Sequence, residues 1–424
     1  MSQIHSTAAN LDSASVEEQR QLFPALQRTH QDSPLVYFDG PAGTQVPTSV
    51  ISAISDYLTR CNSNLHGNFP TSQESDQWLH EVHCGAADFL GVSDPDEVIF
   101  GPNMTSLTFH LSRSLAKTWK PGDNVVVTRL DHDANVRPWV LAAEDAGVEV
   151  RMVPVDVADC TLDLEKLNKM LDSRTKLLAV GAASNSVGTI NPVADIVERA
   201  HAVGALVYVD AVHYAPHRLV DCEQWNCDFL ACSAYKFFGP HIGVLWGRRQ
   251  LLESLVPYRL NPAPNVIPGR WMTGTQNHEC LVGVLAAIDY LADLGRKLSG
   301  EHELLRRPAL QRAFTAIENY ERQLSTRLIS GLIEMPQISV KGIVDPRRFD
   351  QRMPTLSFAH ERLTSAEVTR RLGEQGICAW HGNYYAWELS HALGCEPEGM
   401  TRLGIVHYNT ESEVERVLNA IVQL

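Results

Sequence analysis

Residues 227–246 read CDFLACSAYKFFGPHIGVLW, and this stretch decides the fold of the chain. It predicts an apolar strand, a polar break, a Gly-Pro turn and a second apolar strand. The break places one amine, Lys236, just past the end of a buried strand. Burial disfavours the charged form of an amine and lowers its pKa. Lys236 is therefore a candidate Schiff-base nucleophile, although a lone lysine in a loop is more commonly a surface charge.

Two hydroxyls and a carboxylate accompany this lysine. Ser233 and Tyr235 lie beside it in the sequence, and an earlier apolar strand, LVYVD, ends in Asp210. A pyridoxal phosphate site needs an amine for the aldehyde, a carboxylate for the pyridinium nitrogen, and hydroxyl or amide donors for the phosphate. The sequence therefore predicts pyridoxal 5'-phosphate (PLP) as the cofactor.

The run Ser-Ala-Tyr-Lys-Phe-Phe-Gly-Pro-His-Ile-Gly resembles the lysine motif of class V aminotransferase-fold enzymes, and specifically of the cysteine desulfurase-like family. The usual form there is Ser-x-His-Lys-x-x-Gly-Pro-x-Gly, and the resemblance continues in register from Tyr37 to Thr410. It implies the α/β fold of PLP-dependent transferases of fold type I, which is aspartate aminotransferase-like. Such a fold has a large, mostly parallel-sheet domain and a smaller α+β C-terminal domain. Tyr235 replaces the family's histidine, and its phenol can still reach a phosphate.

Length and pattern predict two domains. A chain of 424 residues with 44% hydrophobic content can bury a large core. Between residues 175 and 216, near-continuous apolar strands flank an amphipathic helix, which is typical of a parallel sheet covered on both faces. We expect an N-terminal segment over residues 1–33, loosely ordered apart from a helix at about 16–22. A large PLP-binding domain over 34–294 and a small C-terminal domain over 295–424 follow.

Charge and hydropathy exclude several classes of partner. The formal net charge of -14 argues against nucleic acid or an anionic membrane, because both favour clustered Lys and Arg. The first twenty residues lack a basic region followed by an apolar core, so we expect no signal peptide. The most apolar helical window, residues 281–294, is short and is interrupted by Asp289 and Asp293. A cytoplasmic protein is therefore expected.

The cysteines and histidines give no metal-binding pattern. Nine cysteines are scattered along the chain, an odd number with no C-x2-C pair, which favours reduced thiols over a disulfide framework or a zinc site. His213 and His217 are four residues apart, but Pro216 argues against the helix that a metal-binding pair would need. We therefore expect no metal.

Further cofactor contacts follow from the resemblance. The family binds the cofactor phosphate where a helix opens near Met104 and Thr105, and free amides at a helix start do attract anions. His132 falls on the family's histidine that stacks on the cofactor ring and can move protons; by itself, a histidine is more often structural. The remaining matches are Asn185 and His213 near the phenolic oxygen, Asp210 at the ring nitrogen, Ser233 and Tyr235 as hydroxyl donors, and Thr275.

The resemblance also implies how substrate is held. Arg402 takes the place of the arginine that binds the substrate carboxylate, a task suited to a bidentate guanidinium. Asn64 and His66 match a segment near the substrate, although an exposed loop histidine is the commoner case. Gly274 and Thr275 resemble the Gly-Thr pair that reaches the phosphate of the neighbouring subunit. The implied protein is a homodimer with a shared active site, acting on a small-molecule amino-acid substrate.

The resemblance breaks at the sulfur-accepting cysteine. In the branch most like this chain, that cysteine lies in an Arg-x-Gly-His-His-Cys-Ala sequence, whereas this chain has Trp-His-Gly-Asn-Tyr-Tyr-Ala. Tyr385 stands at the cysteine position and Trp380 at the arginine position. A phenol cannot accept a persulfide. Cys378, seven residues upstream, is then either a displaced nucleophile or a small buried thiol.

The predicted residues point to chemistry at the α-carbon of an amino acid. Lys236 would abstract the α-proton while Asp210 acts through the ring and His132 moves protons. We favour C–S lyase or desulfurase-type chemistry, since a lyase needs no acceptor cysteine. The alternatives are an aminotransferase or epimerase on a bulkier amino acid, suggested by the aromatic residues within 380–387, and a non-catalytic PLP-binding or sulfur-carrier partner. The complete set of predicted site residues, Arg402 included, speaks against the last.

Overall fold

The computed structural model describes residues 11–424. In chain order its α-helices are α1 (Ser13–Arg20), α2 (Thr48–Arg60), α3 (Pro70–Leu90), α4 (Met104–Ala116), α5 (Arg137–Ala146), α6 (Leu164–Met170), α7 (Val193–His201), α8 (Cys222–Trp225), α9 (Arg249–Ser254), α10 (His278–Ser299), α11 (Arg306–Ile333), α12 (Ser365–Glu374), α13 (Trp387–Ala392) and α14 (Glu411–Val422). Among these residues no helix is long and apolar enough to cross a bilayer.

The strands of the same range are short. They are β1 (Thr29–His30), β2 (Ser33–Pro34), β3 (Val36–Tyr37), β4 (Val98–Gly101), β5 (Asn124–Thr128), β6 (Glu149–Val153), β7 (Val155–Asp156), β8 (Thr161–Leu162), β9 (Thr175–Gly181), β10 (Leu206–Asp210), β11 (Phe229–Ser233), β12 (Gly243–Gly247), β13 (Ile338–Lys341), β14 (Thr355–His360), β15 (Ile377–Cys378), β16 (Trp380–Gly382) and β17 (Met400–Gly404).

The large sheet has seven strands in the order β4-β12-β11-β10-β9-β5-β6. The five strands from β11 to β6 pair in parallel, whereas β12 runs antiparallel to both of its neighbours. The carboxyl ends of the parallel strands therefore lie along one edge, where ligands bind in open α/β sheets. The predicted α/β fold with a mostly parallel sheet is confirmed.

Alternate residues of the central strands belong to two separate cores. On β10, Val207 and Val209 pack into one core and Tyr208 into the other. Helices α3, α10 and α11 contribute to the first core, and α4 and α5 to the second. Because side chains alternate across a strand, burial on both faces requires the near-continuous apolar strands seen in the sequence.

A second sheet lies in the C-terminal part of the chain. Its four strands are antiparallel, in the order β13-β14-β17-β16. The expected domain border between residues 294 and 295 falls inside α10, and β3 pairs with β15 rather than with the large sheet. We propose that the chain forms two domains, one around each sheet, and that α10 runs continuously across the border between them.

The chain from residue 11 packs onto the rest of the protein. The first helix begins earlier than expected, at Ser13, because the Asp12 side chain caps it by accepting a hydrogen bond from the Ser15 amide at 2.8 Å. Val16 and Phe23 are fully buried. The expectation of a loosely ordered segment is wrong for the described residues, because buried apolar side chains anchor this segment to the core. Residues 1–10 lie outside the described part.

Candidate active site

Polar side chains converge at the carboxyl edge of the large sheet. Asp210 is the last residue of β10, and Lys236 ends the short turn Ala234–Lys236 that follows β11. Both side chains line a cavity of about 530 Å3. Of the sequence-predicted site residues, the cavity is lined by Met104, Thr105, His132, Asn185, Asp210, His213, Ser233, Tyr235, Lys236 and Arg402.

Lys236 is buried at the base of this cavity. Its Nζ donates a hydrogen bond to the Pro41 carbonyl, and it lies 4.7 Å from the centroid of the Tyr235 ring. Burial, reinforced by the positive charge of Arg402, lowers the pKa of Lys236 to about 7. A large share of this amine is therefore neutral near neutral pH, which is the form that attacks a carbonyl.

Asp210 is buried beside the lysine. Its Oδ1 accepts a hydrogen bond from the Val212 amide at 2.8 Å. Burial raises the pKa of Asp210 to about 6, while the Val212 amide and the Lys236 charge oppose that rise. The carboxyl thus titrates close to neutrality and can share a proton with a ring nitrogen.

His132 follows β5 and is held as a neutral imidazole. Its Nδ1 accepts a hydrogen bond from the Ala134 amide at 3.0 Å, so the proton of the neutral ring lies on Nε2. Burial and the charges of Lys236 and Arg402 lower the pKa of His132 to about 3. The Tyr385 ring stacks on it, with centroids 5.3 Å apart and planes inclined by 22°.

The start of α4 forms the anion-binding side of the cavity. Asn103 caps this helix by accepting a hydrogen bond from the Ser106 amide at 2.8 Å, and the Met104 amide points at Ser233 Oγ, 3.4 Å away. A helix start carries a partial positive charge and unpaired amides. A Cβ on Gly243 would lie 2.3 Å from the Asn103 carbonyl carbon, so glycine is needed for β12 to approach the helix start.

Three buried polar atoms of cavity-lining residues lack partners within the described residues. They are Asn185 Oδ1, His213 Nε2 and Arg402 Nε. Asn185 uses its amide nitrogen on the Tyr384 carbonyl, at 2.9 Å. Burial lowers the pKa of His213 well below its ordinary value, so its ring is neutral. A buried polar atom without a partner is costly, which indicates that a polar ligand completes these bonds.

Arg402 lies on β17, is buried, and lines the same cavity. Its Nη1 donates to the Asn185 carbonyl at 2.8 Å, and its guanidinium carbon lies 4.2 Å from the centroid of the Tyr384 ring. Burial lowers the pKa of Arg402 to about 10, so the side chain remains a cation. Its Nε has no partner among residues 11–424 and remains available to an anion.

Three predicted residues lie outside the cavity of their own chain. Asn64 and His66 are exposed in the loop between α2 and α3, where the Nδ1 atom of His66 is 3.1 Å from an Asp76 oxygen. This contact holds the loop against α3. Thr275 is exposed in the segment before α10. None of the three lines the cavity.

Sequence reasoning missed several residues of the site. Asp131 is buried, accepts hydrogen bonds from the Gly181 amide and the Asn135 side chain, and burial raises its pKa well above the usual value. Burial also raises the pKa of Asp39, near Lys236 and Arg402, to about 6. Asp39 directly follows the apolar stretch 35–38, and that position was the signal available for it. Arg129 and Leu130 separate Asp131 from β5, so no comparable pattern marks Asp131.

No cysteine is among the described residues that line the cavity. Cys378 lies on β15, in register with Tyr37 of the parallel strand β3, and its side chain is partly buried. Burial raises the pKa of the Cys378 thiol to about 11, which keeps it protonated and a poor nucleophile. Tyr385, at the position where the related enzymes carry a cysteine, is 70% exposed at the mouth of the cavity.

The residues present fit PLP. The cavity offers a buried amine, a carboxyl group able to face a ring nitrogen, a helix start for a phosphate, and unpartnered donors or acceptors at Asn185 and His213. Together with the mostly parallel sheet, this site defines a PLP-dependent enzyme of fold type I.

Comparison with known proteins gives the family. The family model described as Aminotransferase class-V matches residues 36–417, and the chain belongs to this family. PLP is accordingly its cofactor. A cysteine desulfurase from Cronobacter sakazakii is 30% identical over 432 residues, covering 97% of this chain and 98% of the relative. An aminotransferase-like protein from Gibberella zeae is 31% identical over 421 residues, covering 96% and 98%.

Solved structures agree with this assignment. An apo cysteine desulfurase from Thermococcus onnurineus NA1 superposes with a TM-score of 0.85 at 26% identity, covering 96% of this chain and 97% of that one. The predicted membership of a cysteine desulfurase-like family and the predicted fold are confirmed.

Proposed function

We propose that this enzyme cleaves the carbon–sulfur bond at the β-carbon of a cysteine-type L-amino acid. The observation that carries the proposal is the cavity itself: it holds a buried Lys236 with a pKa of about 7, together with Asp210 and Arg402, and no cysteine is among the described residues that line it. The similarity to cysteine desulfurases supports sulfur chemistry. The missing cysteine favours a lyase over a sulfur transferase.

Arg402 is proposed to bind the substrate carboxylate. Its unpartnered Nε and its fork of donors suit a carboxylate, and its buried position strengthens the attraction. The Tyr384 ring packed against the guanidinium and the Asn185 carbonyl fix its orientation. A substrate held there would have its amine directed into the cavity, toward Lys236.

Lys236 is proposed to take the α-proton of the substrate. When bound, PLP supplies an electron sink that stabilises negative charge at the α-carbon. Asp210 would hold the ring nitrogen protonated, while Lys236, in its neutral form, accepts the proton. His132, with its proton on Nε2, would pack against the ring and donate a hydrogen bond from Nε2.

The proposed reaction balances without an added oxidant or reductant. L-cysteine and water give pyruvate, ammonia and hydrogen sulfide: the α-proton moves to Lys236, the Cβ–S bond breaks, and sulfur leaves with the bonding electrons. Transfer of sulfur to the enzyme as a persulfide would instead require a thiolate near the β-carbon. Cys378 does not line the cavity, and its thiol is protonated.

We further propose that the enzyme works as a cytoplasmic homodimer with a shared active site. Exposed apolar side chains support this arrangement, among them Ile51 and Leu58 on α2 and Leu260 and Val266 in the segment before α10. Thr275 follows that segment and would reach the phosphate of the partner subunit. The free cysteines of the described chain suit a reducing compartment.

Product analysis tests the proposed reaction. Purified, PLP-loaded enzyme is incubated with L-cysteine, and pyruvate, alanine and sulfide are quantified by mass spectrometry and colorimetry. We expect pyruvate and sulfide in equal amounts, and none of either from the Lys236→Ala variant. Alanine with protein-bound sulfur would reveal a transferase that uses a displaced thiol. A keto acid that keeps its sulfur would reveal an aminotransferase.

A further inference from the structure

One wall of the cavity is aromatic and open to solvent. Residues 380–385, which we call the aromatic arm, all line the cavity, together with Pro397. Trp380 is 51% exposed and Tyr385 is 70% exposed, so two large aromatic side chains are accessible to solvent at the entrance of the cavity. Exposed aromatic side chains beside a polar site commonly mark a ligand-contact surface.

The rest of the site holds the arm in an unfavourable backbone conformation. Tyr384 and Tyr385 have φ angles of 55° and 61°, in the left-handed region that bulky residues rarely occupy. Asn185 Nδ2 donates to the Tyr384 carbonyl at 2.9 Å, and the Asp133 amide donates to the Tyr385 carbonyl at 2.7 Å. Strain of this kind persists where the surrounding structure enforces it, and it concentrates at functional sites.

The arm also lies next to the groups that would hold an amino acid. Trp380 is directly opposite Arg402 in the register of β16 and β17, and Tyr385 stacks on His132. An amino acid with its carboxylate at Arg402 and its amine toward Lys236 leaves only its side chain free. The aromatic arm is a wall of the cavity that this side chain can reach.

We propose that the natural substrate is an S-substituted cysteine whose sulfur carries an aromatic or extended apolar group, and that this group packs against Trp380 and Tyr385. The proposal rests on the proposed C–S cleavage and names its substrate class. It accounts for two of the departures from the family's loop sequence, those at Trp380 and Tyr385. A thioether needs no acceptor cysteine, because the sulfur leaves with its substituent, and an apolar substituent needs an aromatic surface.

The step is redox-neutral. The α-proton of RS–CH2–CH(NH3+)–COO− moves to Lys236, the Cβ–S bond breaks, and both bonding electrons leave on sulfur. The thiolate takes up a proton and departs as RSH. The three-carbon remainder takes up water and is released as pyruvate and ammonium.

The experiment compares S-phenyl-L-cysteine with S-methyl-L-cysteine on the PLP-loaded enzyme, following pyruvate and free thiol. Stacking on aromatic side chains predicts a KM about 10-fold lower for the phenyl compound. Trp380→Ala and Tyr385→Ala should each raise that KM roughly 5-fold while changing the KM for the methyl compound less than about 2-fold. Trp387→Ala is the matched control, since Trp387 is exposed in the same segment but packs on His391, outside the cavity lining.

A binding measurement separates contact from chemistry. L-homophenylalanine and L-norvaline replace the sulfur of the two substrates by CH2 and cannot lose a thiolate. Their Kd values follow from the change in visible absorbance of the bound cofactor. Homophenylalanine should bind about 10-fold more tightly in the unaltered enzyme, and the preference should shrink in Trp380→Ala and Tyr385→Ala.

The outcomes distinguish this inference from the reaction on which it rests. Equal KM and Kd values for phenyl and methyl compounds, or equal effects of the arm variants on both, would overturn the aromatic subsite. Turnover of L-cysteine without turnover of S-phenyl-L-cysteine would also overturn it and leave C–S cleavage intact. Binding of all these amino acids without release of any thiol or sulfide would overturn the C–S cleavage itself.

Discussion

The two ionisable groups at the base of the cavity have pKa values that burial moves toward neutrality from opposite sides. The pKa of Lys236 falls to about 7, and that of Asp210 rises to about 6. A surface lysine would be almost wholly protonated at neutral pH and could neither attack an aldehyde nor accept a proton. The position of Lys236 at a buried strand end therefore prepares it for both steps.

The rate of cofactor attachment should report the lowered pKa of Lys236. Only the neutral amine attacks the aldehyde of PLP, so attachment to the cofactor-free enzyme should speed up as pH rises through about 7 and then level off. Stopped-flow absorbance at a series of pH values measures this rate. N-acetyl-lysine treated with PLP in the same buffers is the reference. A midpoint near that of the free amine, at about 10, would contradict the account.

At the level of elements, the site depends on how closely separate strands and helices approach. Strand β12 begins against the first turn of α4, and Gly243 permits this contact. His217, downstream of β10, forms a buried 2.8 Å hydrogen bond between its Nδ1 and an oxygen of Glu321 on α11. Each contact joins a segment next to site residues to a helix or strand that contributes no residue to the site.

Gly243→Ala should damage the phosphate side of the site. The new methyl group would meet backbone atoms of Asn103, which cannot move without displacing the start of α4. We expect a loss of roughly 1–3 kcal/mol in unfolding free energy and weaker retention of PLP on gel filtration. Gly373→Ala, where nothing lies within 4 Å of the added carbon, is the control and should leave stability the same or slightly higher. Equal retention of PLP in both variants would count against the predicted role of this helix start.

The His217–Glu321 pair should behave as two neutral groups. Burial lowers the pKa of His217 to about 3 and raises that of Glu321 well above its ordinary value, so the carboxylic acid donates to the imidazole. Glu321→Gln keeps a donor and should cost less than about 1 kcal/mol, whereas Glu321→Ala should cost roughly 2–4 kcal/mol. Urea unfolding of the three proteins measures the difference. Equal losses for Gln and Ala would mean that the pair is ionised.

The sequence predicted the parts of the site that depend on local pattern. Lys236 and Asp210 stand out because each lies at or just past the end of an apolar run, and the anion site at Met104 was predicted from the family resemblance. Asp131 and Tyr384 could not be found in the same way, because their importance comes from contacts with Gly181 and Arg402, distant in the chain. The early start of α1 was missed for a local reason, the cap formed by Asp12.

For the whole molecule, the exposed residues suggest an enzyme completed by a second copy. Thr275, Asn64 and His66 match family positions at the active site, yet all three lie outside the cavity of their own chain. The apolar segment before α10 is exposed. In the proposed homodimer, Thr275 would reach the phosphate bound in the neighbouring cavity.

Mixing two inactive variants tests the shared site. Lys236→Ala removes the amine, and Thr275→Glu would place a negative charge against the phosphate, so each homodimer should be inactive. A mixed dimer has one cavity with both residues intact. Activity should therefore reappear after the two proteins are unfolded and refolded together, and light scattering should give a mass of about twice 47.1 kDa. A monomeric mass, or no recovery of activity, would contradict the shared site.

The most direct test of the proposed C–S lyase reaction is to identify the product that contains the carbon atoms of L-cysteine. Uniformly 13C-labelled L-cysteine is followed by NMR during turnover with the PLP-loaded enzyme, so that pyruvate and alanine are counted in the same sample. The account predicts pyruvate as the carbon product with no alanine, and no reaction with Lys236→Ala. Alanine as the main product would contradict it, because it would require a sulfur acceptor at a cavity where we find none among the described residues.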